Sequence, residues 1–216
     1  EKFGVDEGWQ IISEHNQNPV IYFQNKPQGT LHWELLGEHN RMNALAALAA
    51  ARHAGVPAPL GIEALSRFKN VKRRMELRGV IHNIHIYDDF AHHPTAIQTT
   101  LAGLRDKVGS TRILAVLEPR SNTMKLGIWQ KNLAASLQQA DHVFCYADAR
   151  IGWNVQPALA SLDNKAETHS DLSPMIHAIT TYVQPGDHIL IMSNGGFGGL
   201  YDKLLDALRN STSIPS

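Results

Sequence analysis

The sequence is short of cysteine, of net charge and of long apolar runs, and each shortage closes off a class of answer. Its one cysteine, Cys145, has no internal disulfide partner, so a packed core must hold the fold and a reducing compartment, the cytoplasm, is expected. Twenty Lys and Arg stand against twenty Asp and Glu, a formal net charge of zero. That balance leaves no basic stripe for a nucleic acid or an anionic membrane, and neither is expected as a partner. No segment approaches the roughly 20 apolar residues of a membrane-spanning helix, and Glu1-Lys2-Phe3-Gly4-Val5 is not the apolar core of a signal peptide. Also missing is the phosphate loop G-x-x-x-x-G-K-S/T; no Gly-Lys dipeptide occurs to seed one, so the chain supplies no triphosphate cradle. Histidine, by contrast, is plentiful at twelve residues, which raises the question of a metal.

Two short β-rich runs, 20–24 and 30–36, flank Asn25-Lys26-Pro27-Gln28-Gly29, a gap whose Pro and Gly predict a hairpin. An alanine-rich helix is predicted over 40–54, stopped by Gly55 and Pro57, and a shorter one over 60–68. The polar, basic stretch from Lys69 to Arg74 reads as a connection to a second unit. Beyond it, strands predicted at 81–87, 112–117, 142–146, 166–169 and 188–192 alternate with helices at 95–107, 126–139, 156–162, 172–183 and 200–209. Runs such as Ile113-Leu114-Ala115-Val116-Leu117 are apolar on both faces, as in a sheet buried between helix layers. The expected class is therefore α/β, an open, mostly parallel Rossmann-like sheet with helices on both faces and ligands beyond the carboxyl ends of its strands. The segment from Asn210 to Ser216 reads as a disordered tail.

The unusual residues fall at those carboxyl ends. After the first strand comes Asp88-Asp89-Phe90-Ala91-His92-His93-Pro94, acids and imidazoles placed just before a helix start. After the second comes Glu118-Pro119-Arg120-Ser121-Asn122-Thr123-Met124-Lys125, where Arg120 offers a fork for a carboxylate or phosphate. After the last comes Ser193-Asn194-Gly195-Gly196-Phe197-Gly198-Gly199, whose glycines let backbone N–H groups approach an anion. This is not G-x-G-x-x-G, since Tyr201 stands at the third required position, and it predicts no dinucleotide site. At the alanine-rich helix, Asn40 and Asn43 share a face of the first turn; a carboxamide matches adenine at N6 and N7, while Asn at a helix start also reads as a plain cap.

Taken together, G-E-H-N-R-M-N-A-L-A-A from Gly37 to Ala47, R-R-M-E from Arg73 to Glu76 and D-D-F-A-H-H-P from Asp88 to Pro94 resemble, in order and spacing, the ATP-dependent Mur ligase family of peptidoglycan synthesis. The resemblance implies that residues 1–72 are the end of the central ATPase domain and residues 73–216 the complete C-terminal domain, which brings the amine. It implies ATP and Mg²⁺ as cofactors, with the phosphate loop and the main Mg²⁺ ligands outside this chain, so that this fragment alone is expected to be inactive. Carried over residue by residue, Asn40 and Asn43 would contact adenine, Arg74 the nucleotide phosphates and Asp89 the ribose or hinge region, the nucleotide bridging the two parts. Arg120, Ser193, Asn194 and Phe197 are expected to bind the amine substrate, and His92 and His93 to hold it neutral or take its proton.

Within the family, the stretch from Glu118 to Lys125 and the glycine loop are most similar to the member used in cell-wall recycling. The substrates implied are UDP-N-acetylmuramate and the murein tripeptide L-Ala-γ-D-Glu-meso-diaminopimelate. The L-alanine-adding member has two arginines where this chain has Ser121 and Met124. It remains the alternative, beside a non-catalytic peptide- or nucleotide-binding module. A zinc site at His82-x-x-His85 and His92-His93 is disfavoured, because a spacing of three on a predicted strand points His82 and His85 to opposite faces.

Overall fold

The computed structural model describes residues 7–12, 18–33 and 35–211. It divides into two compact units, residues 1–70 and 71–216.

In the first unit β1 (Trp9–Ile12), β2 (Val20–Phe23) and β3 (Lys26–Thr30) form an antiparallel sheet in that order. The predicted hairpin is present, but its turn is two residues, Gln24 and Asn25, both left-handed at φ 50 and 60. That is the twist-matched turn of a tight hairpin. Pro27 is tolerated because β3 is an edge strand, opposite a register shift at Ile21/Tyr22. The strand predicted over 30–36 is corrected for its described residues beyond Thr30: Leu31 N already donates to Pro19 O, β2 offers no further partner, and His32 N donates instead to Ser66 Oγ. Helix α1 (Glu38–His53) lays Ala44, Leu45, Leu48 and Ala49 on the sheet. It meets α2 (Ala58–Ser66) at Gly61, where an added Cβ would stand 2.9 Å from Leu48.

The second unit holds a six-stranded sheet of order β4-β5-β9-β6-β7-β8. Its strands are β4 (Glu76–Ile81), β5 (Ile84–Asp89), β6 (Ile113–Leu117), β7 (His142–Tyr146), β8 (Ala166–His169) and β9 (His188–Met192). All pair in parallel except β4, an antiparallel edge strand joined to β5 through His82 and Asn83 at φ 49 and 60. The strand predicted over 81–87 is thus broken by a turn at its second residue, because Asn83 accepts the left-handed region easily. Helices α3 (Pro94–Val108), α5 (Gln130–Ser136) and α6 (Gln156–Leu159) bury Ile97, Leu101, Leu104, Leu133 and Leu159 on one face of the sheet. Helices α7 (Leu172–Tyr182) and α8 (Leu200–Arg209) bury Met175, Ile179, Leu204 and Leu208 on the other. Between β6 and α5 lies the short α4 (Asn122–Lys125). The helix predicted over 126–139 is shortened to α5, and Gly127 at φ 72, a conformation that favours glycine, lies in the turn between α4 and α5. The part of the predicted tail from residue 212 onward lies outside the described residues.

Candidate active-site rim

The register of the second sheet sets the site. Asp89, Met192 and Leu117 end β5, β9 and β6 and lie level across the three strands. The segments that follow them therefore leave the sheet side by side. The ladder continues one rung further, Ser193 N donating to Asp89 O at 3.1 Å and Glu118 N to Met192 O at 3.0 Å. The three segments that sequence marks as unusual are thus joined at their roots.

Asp88 and Asp89 are adjacent on β5, so their side chains leave opposite faces of the sheet. Asp89 is 3% exposed and lies beneath the rim. Its Oδ1 accepts from Ala91 N at 2.7 Å and Thr100 Oγ1 at 3.3 Å, its Oδ2 from Met75 N at 2.8 Å. Burial raises its pKa, against the pull of these donors and of the Arg74 charge. Asp88, equally buried, accepts from Tyr201 Oη and, at 3.2 Å, from Arg73 Nε.

Arg74 sits between two left-handed residues, Arg73 at φ 60 and Met75 at φ 51. Non-glycine residues in that region cost about 1–3 kcal/mol each and persist where their surroundings over-determine them. Here Arg73 N donates to Glu76 Oε2 at 2.8 Å, Phe90 N to Arg73 O at 2.8 Å, and Met75 N to Asp89. The guanidinium carbons of Arg73 and Arg74 lie 5.4 and 5.7 Å from the centre of the Phe90 ring.

The loop after β9 is built from below. Ser193 is fully buried; its hydroxyl donates to Glu118 Oε2 at 2.5 Å and accepts from Gly195 N at 3.0 Å. Phe197, 1% exposed and 5.6 Å from the Tyr146 ring, belongs to the core under the loop. The residues predicted to touch the amine substrate therefore separate. Arg120 is exposed and lies over Gly195, and Asn194 is half-buried with its Oδ1 enclosed and without a partner, whereas Ser193 and Phe197 lie beneath them.

His92 and His93 stand at the start of α3, half-buried and edge to face at 5.5 Å. His92 Nδ1 is 2.9 Å from Phe90 O, and a carbonyl only accepts, so Nδ1 carries the proton and Nε2 is the basic nitrogen. In the first unit, Asn40 lies inside the first turn of α1 and donates to Leu36 O at 2.7 Å; the helix cap is Gly37, and Asn43 is exposed.

Reading by motif overlooked several groups. Arg73, Asp88, Glu118 and Tyr201 bind one another or the rim; the first three lie at or beside strand ends, which was the usable signal, whereas Tyr201 lies on α8. A cavity of about 270 Å³ also lies beyond β7 and β8, against Asp148, Trp153, Asn154, Gln156, His169 and Ser170. A hydrogen bond from Arg150 holds the Asp148 carboxyl below its usual range. Burial pushes the Cys145 thiol up to about 12, which leaves it inert at neutral pH. His82 lies in the β4–β5 turn and not on a strand, which corrects the geometry used above against zinc. Among the described residues no three His, Cys, Asp or Glu side chains are grouped to hold a metal ion. Nor is any helix among them long and apolar enough to cross a membrane.

An open α/β domain with a basic, histidine-bearing rim at its strand ends defines a class, and comparison with known proteins narrows it. Residues 73–195 match the family model described as Mur ligase, glutamate ligase domain. The chain belongs to the Mur ligase family. It is 53% identical over 211 residues to the UDP-N-acetylmuramate–L-alanyl-gamma-D-glutamyl-meso-2,6-diaminoheptandioate ligase of Escherichia coli K12, covering 96% of this chain and 46% of that protein. Identity to the UDP-N-acetylmuramate–L-alanine ligase of Acaryochloris marina is 31%, covering 98% of this chain and 47% of that one. A crystal structure of a murein peptide ligase from Psychrobacter arcticus 273-4 superposes with a TM-score of 0.71 at 41% identity, over 98% of this chain and 46% of that one. The chain thus spans about half the length of the curated relatives it matches.

Proposed function

We propose that this chain is the carboxyl-terminal half of a cytoplasmic, ATP-dependent ligase that joins L-Ala-γ-D-Glu-meso-diaminopimelate to UDP-N-acetylmuramate in cell-wall recycling. The observation that carries the reading is the contrast in identity over nearly the whole chain: 53% to a ligase named for that tripeptide, 31% to one named for L-alanine.

Such a ligase converts the sugar's carboxylate to an acyl phosphate with ATP. The peptide amine then attacks, and ADP and phosphate leave. The step brings anions together and needs an uncharged amine, so positioning and charge neutralisation dominate it. Arg74, held by its locked turn, is assigned to the nucleotide phosphates; Asp89, expected at the ribose or hinge region, is instead buried behind that turn and serves the nucleotide by holding the turn. In the first unit Asn40 and Asn43 are assigned to adenine. Arg120 and Asn194 face the peptide, with Ser193 and Phe197 supporting them from below. The basic Nε2 of His92, with His93 against it, takes the proton of the attacking amine. The phosphate loop and the main Mg²⁺ ligands belong to the half not contained in this chain.

The test is product analysis with the full-length ligase. Incubated with UDP-N-acetylmuramate, ATP and the tripeptide, it should yield one product heavier than the sugar nucleotide by the tripeptide less one water, with one ADP and one phosphate. Consumption of L-alanine with no tripeptide product would replace this assignment by the L-alanine ligase.

A further inference from the structure

We infer that Asp88 is a positioning residue that ties the two sides of the rim together, fixing through Arg73 both the turn that carries Arg74 and the loop after β9 on which Arg120, from the segment after β6, rests. What each side holds rests on the ligase reading above; the tie itself is geometric.

The two acids of β5 grip one turn from both faces of the sheet. Asp89, on the α3 side, takes the Met75 N–H. Asp88, on the α8 side, takes the Arg73 guanidinium and the Tyr201 hydroxyl. Arg74 stands between the two gripped residues, so its backbone has little freedom left. From Asp88 the same guanidinium reaches across the sheet, its Nη2 donating to Ser193 O at 2.5 Å. Ser193 accepts from Gly195 N, and Arg120 lies on Gly195. A continuous path therefore runs from the Arg74 turn through Asp88, Arg73, Ser193 and Gly195 to Arg120. Burial, then the neighbouring Asp88, raise the Tyr201 pKa, so its hydroxyl remains a donor at neutral pH. A buried carboxylate with one cationic and one hydroxyl partner is left with an uncompensated charge when the cation is removed and with an unmet acceptor when the hydroxyl is. Loss of Asp88 is therefore felt both at the Arg74 turn and, through the Arg73 bond to Ser193 120 residues away in sequence, at the loop after β9.

The test uses the full-length ligase and three variants, Asp88→Asn, Arg73→Lys and Tyr201→Phe. Two Michaelis constants, for ATP and for the tripeptide, are measured beside hydrogen exchange of the Met75 and Gly195 amides. Asp88→Asn should raise both constants about tenfold, the size of a small misplacement of binding groups, and speed exchange at both amides together. Tyr201→Phe, which removes one hydroxyl, should move all four readings the same way by less. Arg73→Lys keeps a charge for Asp88 but cannot also hold the Ser193 carbonyl, so it should raise the tripeptide constant more than the ATP constant. If Asp88→Asn does not fold, Tyr201→Phe carries the test with the same outcomes. The inference is overturned if melting temperature falls while both constants stand unchanged, or if one amide responds without the other. A wild-type enzyme that releases no phosphate with the tripeptide sinks the ligase reading instead, and the paired exchange at Met75 and Gly195 still decides this one.

Discussion

The Arg120 guanidinium lies on the backbone of Gly195, so close that a Cβ built on that glycine would stand 2.1 Å from Arg120 Nη1 and 2.6 Å from Cζ. The absence of a side chain at residue 195 is what lets the arginine reach over the loop. Gly195→Ala should displace Arg120 and raise the tripeptide KM about tenfold with ATP KM little changed. Gly196→Ala is the internal control, since an added Cβ there meets nothing within 4 Å. Equal kinetics for the two variants would separate Arg120 from peptide binding.

The imidazole pair gives a prediction of a different kind. Proton transfer by a positioned side chain contributes roughly 10²–10⁴-fold, so His92→Ala should lower kcat at saturating tripeptide within that range. His93→Ala should have the smaller effect, since it touches His92 edge to face and does not carry the identified basic nitrogen. Unchanged turnover in both variants would remove the pair from the mechanism.

Stability should depend on pH through His188, at the opposite end of β9 from the rim. Burial first, then the nearby His85, Lys107 and Arg105, push its imidazole down to about 4, and it stacks on His85. A histidine harder to protonate in the folded than in the unfolded chain contributes stability above its ordinary pKa near 6.5, and that contribution is lost as pH falls toward 4. Asp89 and Asp187, raised by burial, carry the opposite sign. Melting followed from pH 7 to 4.5 should therefore decline less in His188→Gln than in the natural chain; parallel curves would contradict this.

In the core, Phe144 is fully buried on the α7 side of β7. Phe144→Ala should cost about 3–5 kcal/mol in urea unfolding, through lost burial and the cavity left behind. A loss under 1 kcal/mol would mean that the neighbouring side chains collapse into the space.

How much of this was legible in the sequence differs by element. Strands 142–146 and 188–192 were readable to the residue, because apolar runs with polar ends leave little choice. Strand β4 was missed: Glu76-Leu77-Arg78-Gly79-Val80-Ile81 is an edge strand with one exposed face, and its mixed composition hides the alternation. The helix read over 126–139 failed at Gly127, where one left-handed residue outweighs the propensity of its neighbours. At the site, the strand-end rule located the three loops. It could not tell which residues face outward, so Ser193 and Phe197 read like Arg120 although they are buried. Nor could it reveal the Arg73 bond to Ser193, since no local pattern encodes a contact across 120 residues.

The most direct test is a comparison of amines. With full-length ligase, UDP-N-acetylmuramate and ATP, kcat/KM from phosphate release should favour the tripeptide over free L-alanine by roughly a hundredfold or more, because a site that hydrogen-bonds the longer substrate leaves buried polar groups unpaired with the shorter one. Equal values, or a preference for L-alanine, would contradict the assignment.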